Sequence, residues 1–164
     1  MARTSLYPLI GRVRALLDAL PNADFRFSDE QIQDALDVRR MEYRYLVLDA
    51  HPTKTSSATT YKTYTAPVGD WDTATALYDY SFAALTPDET DCIAGRWAFN
   101  TEPTRPVYLV GYTYDRYGAA ADLLEQAAVM AIGEGSAKLM EVAKLYRKRQ
   151  RPGLVSVARD DVNG

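Results

Sequence analysis

One cysteine and one histidine are all that 164 residues contain of the two commonest metal-ligating and nucleophile-activating side chains. A lone Cys92 excludes an internal disulfide and any cysteine-cluster zinc site. With no second histidine to activate it, Cys92 reads as a small, partly buried residue near the start of a strand. The single histidine, His51, precedes Pro52 in a stretch rich in Ser and Thr and reads as an exposed loop residue. A glycine-rich phosphate loop, a His-Glu-x-x-His pair and a Gly-x-Ser-x-Gly elbow are all missing. The acid pairs Asp88/Glu89 and Asp160/Asp161 are adjacent in sequence, so their side chains do not converge on one spot of a helix or strand. These absences predict a protein that is not an enzyme, with no catalytic residue, cofactor or metal ligand to assign. No apolar run approaches the ~20 residues of a membrane span. The opening residues Met1 to Ser5 lead into a helical pattern without a signal-peptide apolar region, so synthesis and residence in the cytosol are expected.

What is present fits one globular domain over residues 1–164, with no linker and no internal repeat: 47% hydrophobic and 25% charged residues. The net charge of −3 is unevenly placed. Residues 70–125 carry ten acids against three bases, and residues 138–151 carry six bases against Glu141 alone. Such poles orient copies of the chain, or a partner with complementary patches, even where each exposed pair is weak.

The clearest periodicity runs from Tyr112 to Pro152. Tyr117, Ala120, Ala121, Leu124, Ala128, Ala131 and Ile132 fall on one face of a 3.6-residue helix, with Asp115 placed to cap it. Gly133-Glu134-Gly135 breaks the pattern and Ser136 is placed to cap a second helix carrying Leu139, Val142, Ala143 and Tyr146. Small residues at 119–121 and 127–128 admit a close neighbour, either within the chain or in another copy. Near the N-terminus, Leu6, Leu9, Ile10, Val13, Leu16, Leu17 and Leu20 form another stripe, with Pro8 in its first turn and Pro21 to Asp24 as its stop. Ser28 and Gln31 make a capping box flanked by Phe27 and Ile32 as a staple, so a helix begins at Asp29 and runs to about Met41.

Between these pairs the period changes to two. Residues 42–48 predict a strand or an extended exit from the helix, and His51 to Ala66 a mobile loop followed by one strand. Trp71, Ala76 to Tyr80, Ile93 to Phe99 and Val107 to Tyr114 are further β candidates, the last two joined as a hairpin through residues 100–106. Ala84 to Asp91 reads as a helix start or a turn. The sum is a mainly α protein: a bundle of about four helices (5–41 and 115–151), a β-rich insertion over about 42–114 between helices two and three, and an extended tail at 152–164. That tail alternates from Leu154 through Val155 and Val157 to Arg159 with no obvious partner inside its own chain, which suits it to a sheet edge on another. The basic run Lys144, Arg147, Lys148, Arg149, Arg151 reads three ways: a solvated end complementing the helix dipole, a protein contact, or a contact to nucleic acid phosphates. Tyrosines at 61, 64, 78, 80, 108, 112 and 114 serve sheet packing, and Tyr is also enriched at interfaces.

Three segments together resemble the head-to-tail connector, or adaptor, proteins of tailed bacteriophages and related gene transfer agents: Phe27 to Asp37, Tyr114 to Glu125, and Leu145 to Pro152 with its Arg-Gln-Arg-Pro exit. The likeness covers the helices at both ends, about half the chain, and not residues 50–111. It implies a structural virion protein at the neck, made in the host cytoplasm and assembled as a ring, commonly of twelve copies, beneath the portal protein. Such a ring extends the channel through which DNA passes without sequence-specific binding, receives a stopper or tail-completion protein below, and touches no membrane. It also implies that the C-terminal segment docks to the portal, a role that falls here on Arg151, Pro152, Leu154, Val155, Val157 and Arg159. A contact with the next ring or tail component is then expected of the β insertion, through Tyr61, Tyr64 and Arg105. The competing expectation is a small nucleic acid binding or packaging factor using Lys144, Arg147, Lys148 and Arg149.

Overall fold

In the computed structural model, which describes residues 2–18, 26–131 and 134–150, a 3-10 turn at Thr4–Leu6 leads into α1 (Tyr7–Asp18), with Pro8 in its first turn, where the missing N–H costs nothing. The stop expected at Pro21 to Asp24 lies outside the described residues. The capping box forms as its sequence requires: Ser28 Oγ accepts from the Gln31 N–H at 3.2 Å and Gln31 Oε1 from the Ser28 N–H at 2.8 Å. This opens α2 (Asp29–Val38). Asp115 caps α3 (Arg116–Met130), its Oδ1 accepting from the Gly118 N–H at 3.0 Å. Glycine is required at 118, since a Cβ there would stand 2.5 Å from the other carboxylate oxygen of Asp115. The last helix, α4 (Glu134–Arg149), begins three residues earlier than a cap at Ser136 would place it, so Ser136 does not cap it. Its hydroxyl donates instead to the Ala128 carbonyl at 2.8 Å and ties α4 back to α3.

The middle of the chain corrects the expectation of a mainly α protein. Of the described residues 40% are helical and 29% lie in strands, which build two four-stranded antiparallel sheets, so the fold is mixed α/β. The first sheet has the order β1 (Arg40–Val47), β8 (Tyr108–Tyr114), β4 (Ala76–Tyr78), β5 (Ala84–Leu85). The second has the order β2 (Asp49–Lys54), β3 (Thr59–Thr65), β7 (Arg96–Ala98), β6 (Glu89–Asp91). α2 therefore stops three residues short of Met41. The supposed mobile loop is the β2–β3 hairpin, because β-branched threonines suit a pleated ribbon and Tyr64 of β3 turns into the core of the β module. Ala84 to Asp91 holds two short strands and no helix. Residues 93–99 and 107–114 do not pair as a hairpin: β7 and β8 belong to different sheets, and the segment between them crosses from one to the other.

Two apolar clusters result. Leu9, Ile10, Val13, Ile32 and Leu36 from the N-terminal helices meet Ala119 to Ala121, Leu124, Ala128, Leu139 and Ala143 from the C-terminal pair. The small residues of α3 thus serve close packing inside the chain, with α1, α2 and α4 all against that helix. The second cluster, around Trp71, Trp97, Leu77, Val107 and Leu109, fills the β module. No described helix is long and apolar enough to cross a membrane.

Asp122 of α3 ties the helices together across the surface of their cluster. Arg39 donates to both its oxygens at 2.8 Å, and Arg147 of α4 reaches it at 2.5 Å while also gripping Glu125 at 2.8 Å. Burial alone pushes the Asp122 carboxyl up, but the two guanidiniums outweigh it and hold the group below the ordinary carboxylate range. Because the folded value is depressed, the stabilisation is fully present above pH ~4 and is lost as the pH falls through the lowered folded value. Asp122→Ala strands the half-buried Arg39 guanidinium and leaves Arg147 with Glu125 alone, and is expected to cost roughly 1–3 kcal/mol, discounted for partial exposure. Urea titrations should show this difference constant from pH 5 to 7 and shrinking below pH ~4.

Candidate interaction surfaces

Among the described residues no group of three or more His, Cys, Asp or Glu side chains could hold a metal ion. Cys92 is buried, and desolvation followed by the charges of Asp72 and Asp91 pushes its thiol up to about 11, far from a reactive thiolate. His51 lies on edge strand β2, its Nε2 2.7 Å from the Thr65 hydroxyl. The buried acids near the joint between the modules are also engaged. Asp70 takes a 2.7 Å ion pair from Arg116, and Asp72 accepts from the Ala74 N–H at 2.9 Å and the Tyr114 hydroxyl at 3.3 Å. Tyr114 is pushed up to about 12, by burial first and then by the Asp72 charge. This chemistry is that of a joint between two modules.

The basic end of α4 divides. Arg147 is spent on Asp122 and Glu125, and the Arg149 guanidinium lies 5.9 Å from the centre of the Tyr117 ring. Lys144 and Lys148 are exposed. Arg151, Pro152, Leu154, Val155, Val157 and Arg159 lie outside the described residues.

Of the three β-module residues singled out in sequence, Tyr64 is fully buried, edge-on to Phe99, with its hydroxyl donating to the Tyr61 carbonyl. Tyr61 and Arg105 come together nearby, the guanidinium 3.8 Å above the ring. The larger aromatic surface is elsewhere, on the first sheet. Phe82 stacks on Tyr108 at 5.4 Å with planes 10° apart, and Tyr45 stands edge-on to both. Tyr45 and Phe82 are 53% and 57% exposed despite these contacts. Both also hold positive φ, 56° and 62°, a conformation that costs a bulky residue about 1–2 kcal/mol.

Local chemistry holds them there. Asp79 Oδ1 accepts from the Ser81 N–H, the Ser81 hydroxyl and the Ala83 N–H at 2.7–3.0 Å, and the Phe82 N–H donates to the Asp79 carbonyl. The carboxyl is lowered chiefly by the Ser81 hydrogen bond. Tyr45 sits where the register of β1 slips against β8 between Tyr43 and Leu46, a bulge that re-aims its ring. Tyrosines 78 and 108 were visible as β candidates, but the platform depends on Phe82 and Tyr45, whose left-handed backbone leaves no periodic trace. Its one sequence signal is the Asp-x-Ser-Phe turn.

Compared with protein-family models, with curated proteins and with solved structures, the chain matches none. Alanine substitutions separate the two halves of the basic helix end. Arg147→Ala should lower the urea midpoint as Asp122→Ala does, whereas Lys144→Ala and Lys148→Ala should stay within about 0.5 kcal/mol of the parent protein.

Proposed function

We propose that this protein is a structural, non-catalytic component of a phage-like particle. It would be a head-to-tail adaptor that forms a ring, commonly of twelve copies, between the portal and the stopper or tail-completion protein. The family resemblance lies in the helical segments. The observation that adds most to it is the strained, exposed platform of Tyr45, Phe82 and Tyr108: backbone strain is retained where surrounding hydrogen bonds over-determine it, and an aromatic surface held open at that cost suits partner recognition. The joint is mechanical in character, many modest contacts per copy multiplied by the symmetry of the ring. In this reading residues 151–162 dock to the portal, and the first sheet meets the next component along the neck, with Tyr61 and Arg105 offering a second contact. The nucleic acid alternative loses its best anchor, because Arg147 is neutralised by two carboxylates.

Two variants test the two contacts separately. A chain ended after Pro152 should remain folded and fail to bind portal in a pull-down, and retained binding would sink the docking role of the tail. Tyr45→Asn with Phe82→Asn keeps residues that tolerate positive φ and should leave the far-ultraviolet spectrum and portal binding intact while abolishing attachment of the next neck component. Unimpaired attachment would remove the platform from the interface.

A further inference from the structure

Three tyrosines of this protein carry a guanidinium of their own chain over the ring. Arg105 lies 3.8 Å from the centre of Tyr61, Arg40 lies 5.0 Å from Tyr112, and Arg116 and Arg149 lie 5.1 and 5.9 Å from Tyr117. All four cations are arginines. The platform of Tyr45, Phe82 and Tyr108 has no such cation among the described residues, although Tyr45 and Phe82 are both more than half exposed. Arg44, beside Tyr45 in the chain, is turned instead to Glu42, its Nε 2.8 Å from the carboxylate.

A charge of the opposite sign stands at the edge of these rings. Asp79 closes the turn that carries Phe82, and its Oδ1 takes all three of the bonds from Ser81 and Ala83, while no described group donates to Oδ2. The Ser81 hydrogen bond holds the carboxyl below the ordinary range, so it is ionised at neutral pH. Asp79 also has no ion-pair partner among the described residues. The apolar surface continues across the sheet, because Tyr108 stands opposite Val47 on one side and Tyr78 on the other, and Val47 is exposed. Open ring faces beside one uncompensated carboxylate complement a cation. A guanidinium satisfies both features at once, since its plane stacks on a ring while its edge N–H groups reach a carboxylate; a compact ammonium cannot do both.

We propose that the platform reads an arginine of a partner protein. The guanidinium lies on the exposed ring surface of Phe82 and Tyr45 and donates to Asp79 Oδ2, while apolar neighbours of that arginine cover Val47 and Tyr78. The arginine comes from a different protein, because most of the described arginines of this chain already hold a carboxylate or a ring of their own molecule. This rests on the reading of the platform as the contact for the next neck component, and adds what that component must bring to it.

The test follows the full chain by NMR during titration with the capped peptide Gly-Arg-Gly, and with the same peptide carrying citrulline or lysine in place of arginine. Citrulline keeps the shape of the side chain without its charge. The arginine peptide should shift the ring protons of Phe82 and Tyr45 and the Ser81 amide, with an affinity about three- to tenfold above that of the other two peptides. Asp79→Asn retains an oxygen acceptor for the turn and should bring the arginine peptide down to the level of the citrulline peptide. Phe82→Asn, which tolerates the positive φ, should abolish the response. A silent titration, equal responses to arginine and citrulline or lysine, or binding undiminished by Asp79→Asn would each overturn the proposal. So would shifts of the same rings on dilution of the protein alone, since a second copy would then be the occupant. No neck component enters the readout. A silent titration alongside lost attachment in the Tyr45→Asn, Phe82→Asn protein would remove the arginine and leave the contact, and a positive titration alongside unimpaired attachment would do the reverse.

Discussion

A single carboxylate, Asp122, is held between two guanidiniums that come from residues 83 and 25 positions away in the chain. That contact links α2, α3 and α4 at one point on the surface of their apolar cluster. α3 is lined with glycine and alanine over its first two turns, which lets α1, α2 and α4 approach it closely but leaves little apolar area per residue to hold them. The ion network supplies directional contacts where side-chain volume is scarce. It also consumes the most central cation of a stretch that otherwise resembles a nucleic acid site. A surface that looks basic along the sequence is therefore partly neutral in space.

The two modules are joined by covalent and polar continuity. β8 passes through Asp115 into α3, and the Asp115 N–H donates to the Arg39 carbonyl where α2 becomes β1. Asp70, Asp72, Arg116 and Tyr114 fill the space beneath that junction with paired groups. Orientation of the β module relative to the helices is then set largely by buried, hydrogen-bonded polar groups, which tolerate little displacement once water is excluded, although the second carboxylate oxygen of Asp115 at the junction is buried without a hydrogen-bond partner. Such a joint suits a protein whose work is to hold surfaces at fixed angles.

The parts legible in the sequence were those with short-range causes. Ser28 and Gln31 announce the start of α2, Asp115 that of α3, and the stripes from Leu9 to Leu17 and from Ala120 to Ala128 announce their own burial. The strands were less legible in proportion to their brevity: β5 has two residues and β6 three, too few for alternation to show. The threonines of β2 and β3 read as loop because polarity was weighed above β-branching. The aromatic platform was the least visible, since Tyr45 reaches it through a register slip and Phe82 through a turn closed by Asp79. Tyr64, conspicuous among the tyrosines, is a core residue paired with Phe99.

The pairing of β1 with β8 begins at Arg40 and Tyr114, the points where both strands leave the helical module. A pull on the far end of the β module therefore runs down two neighbouring strands at once and into two different helices. Neither strand is peeled from the other, and the ladder between them is not sheared, because both are tensioned in the same sense. The load is shared by two covalent backbones anchored on opposite sides of the Asp122 network. As a tether, this arrangement resists extension without having to unfold anything.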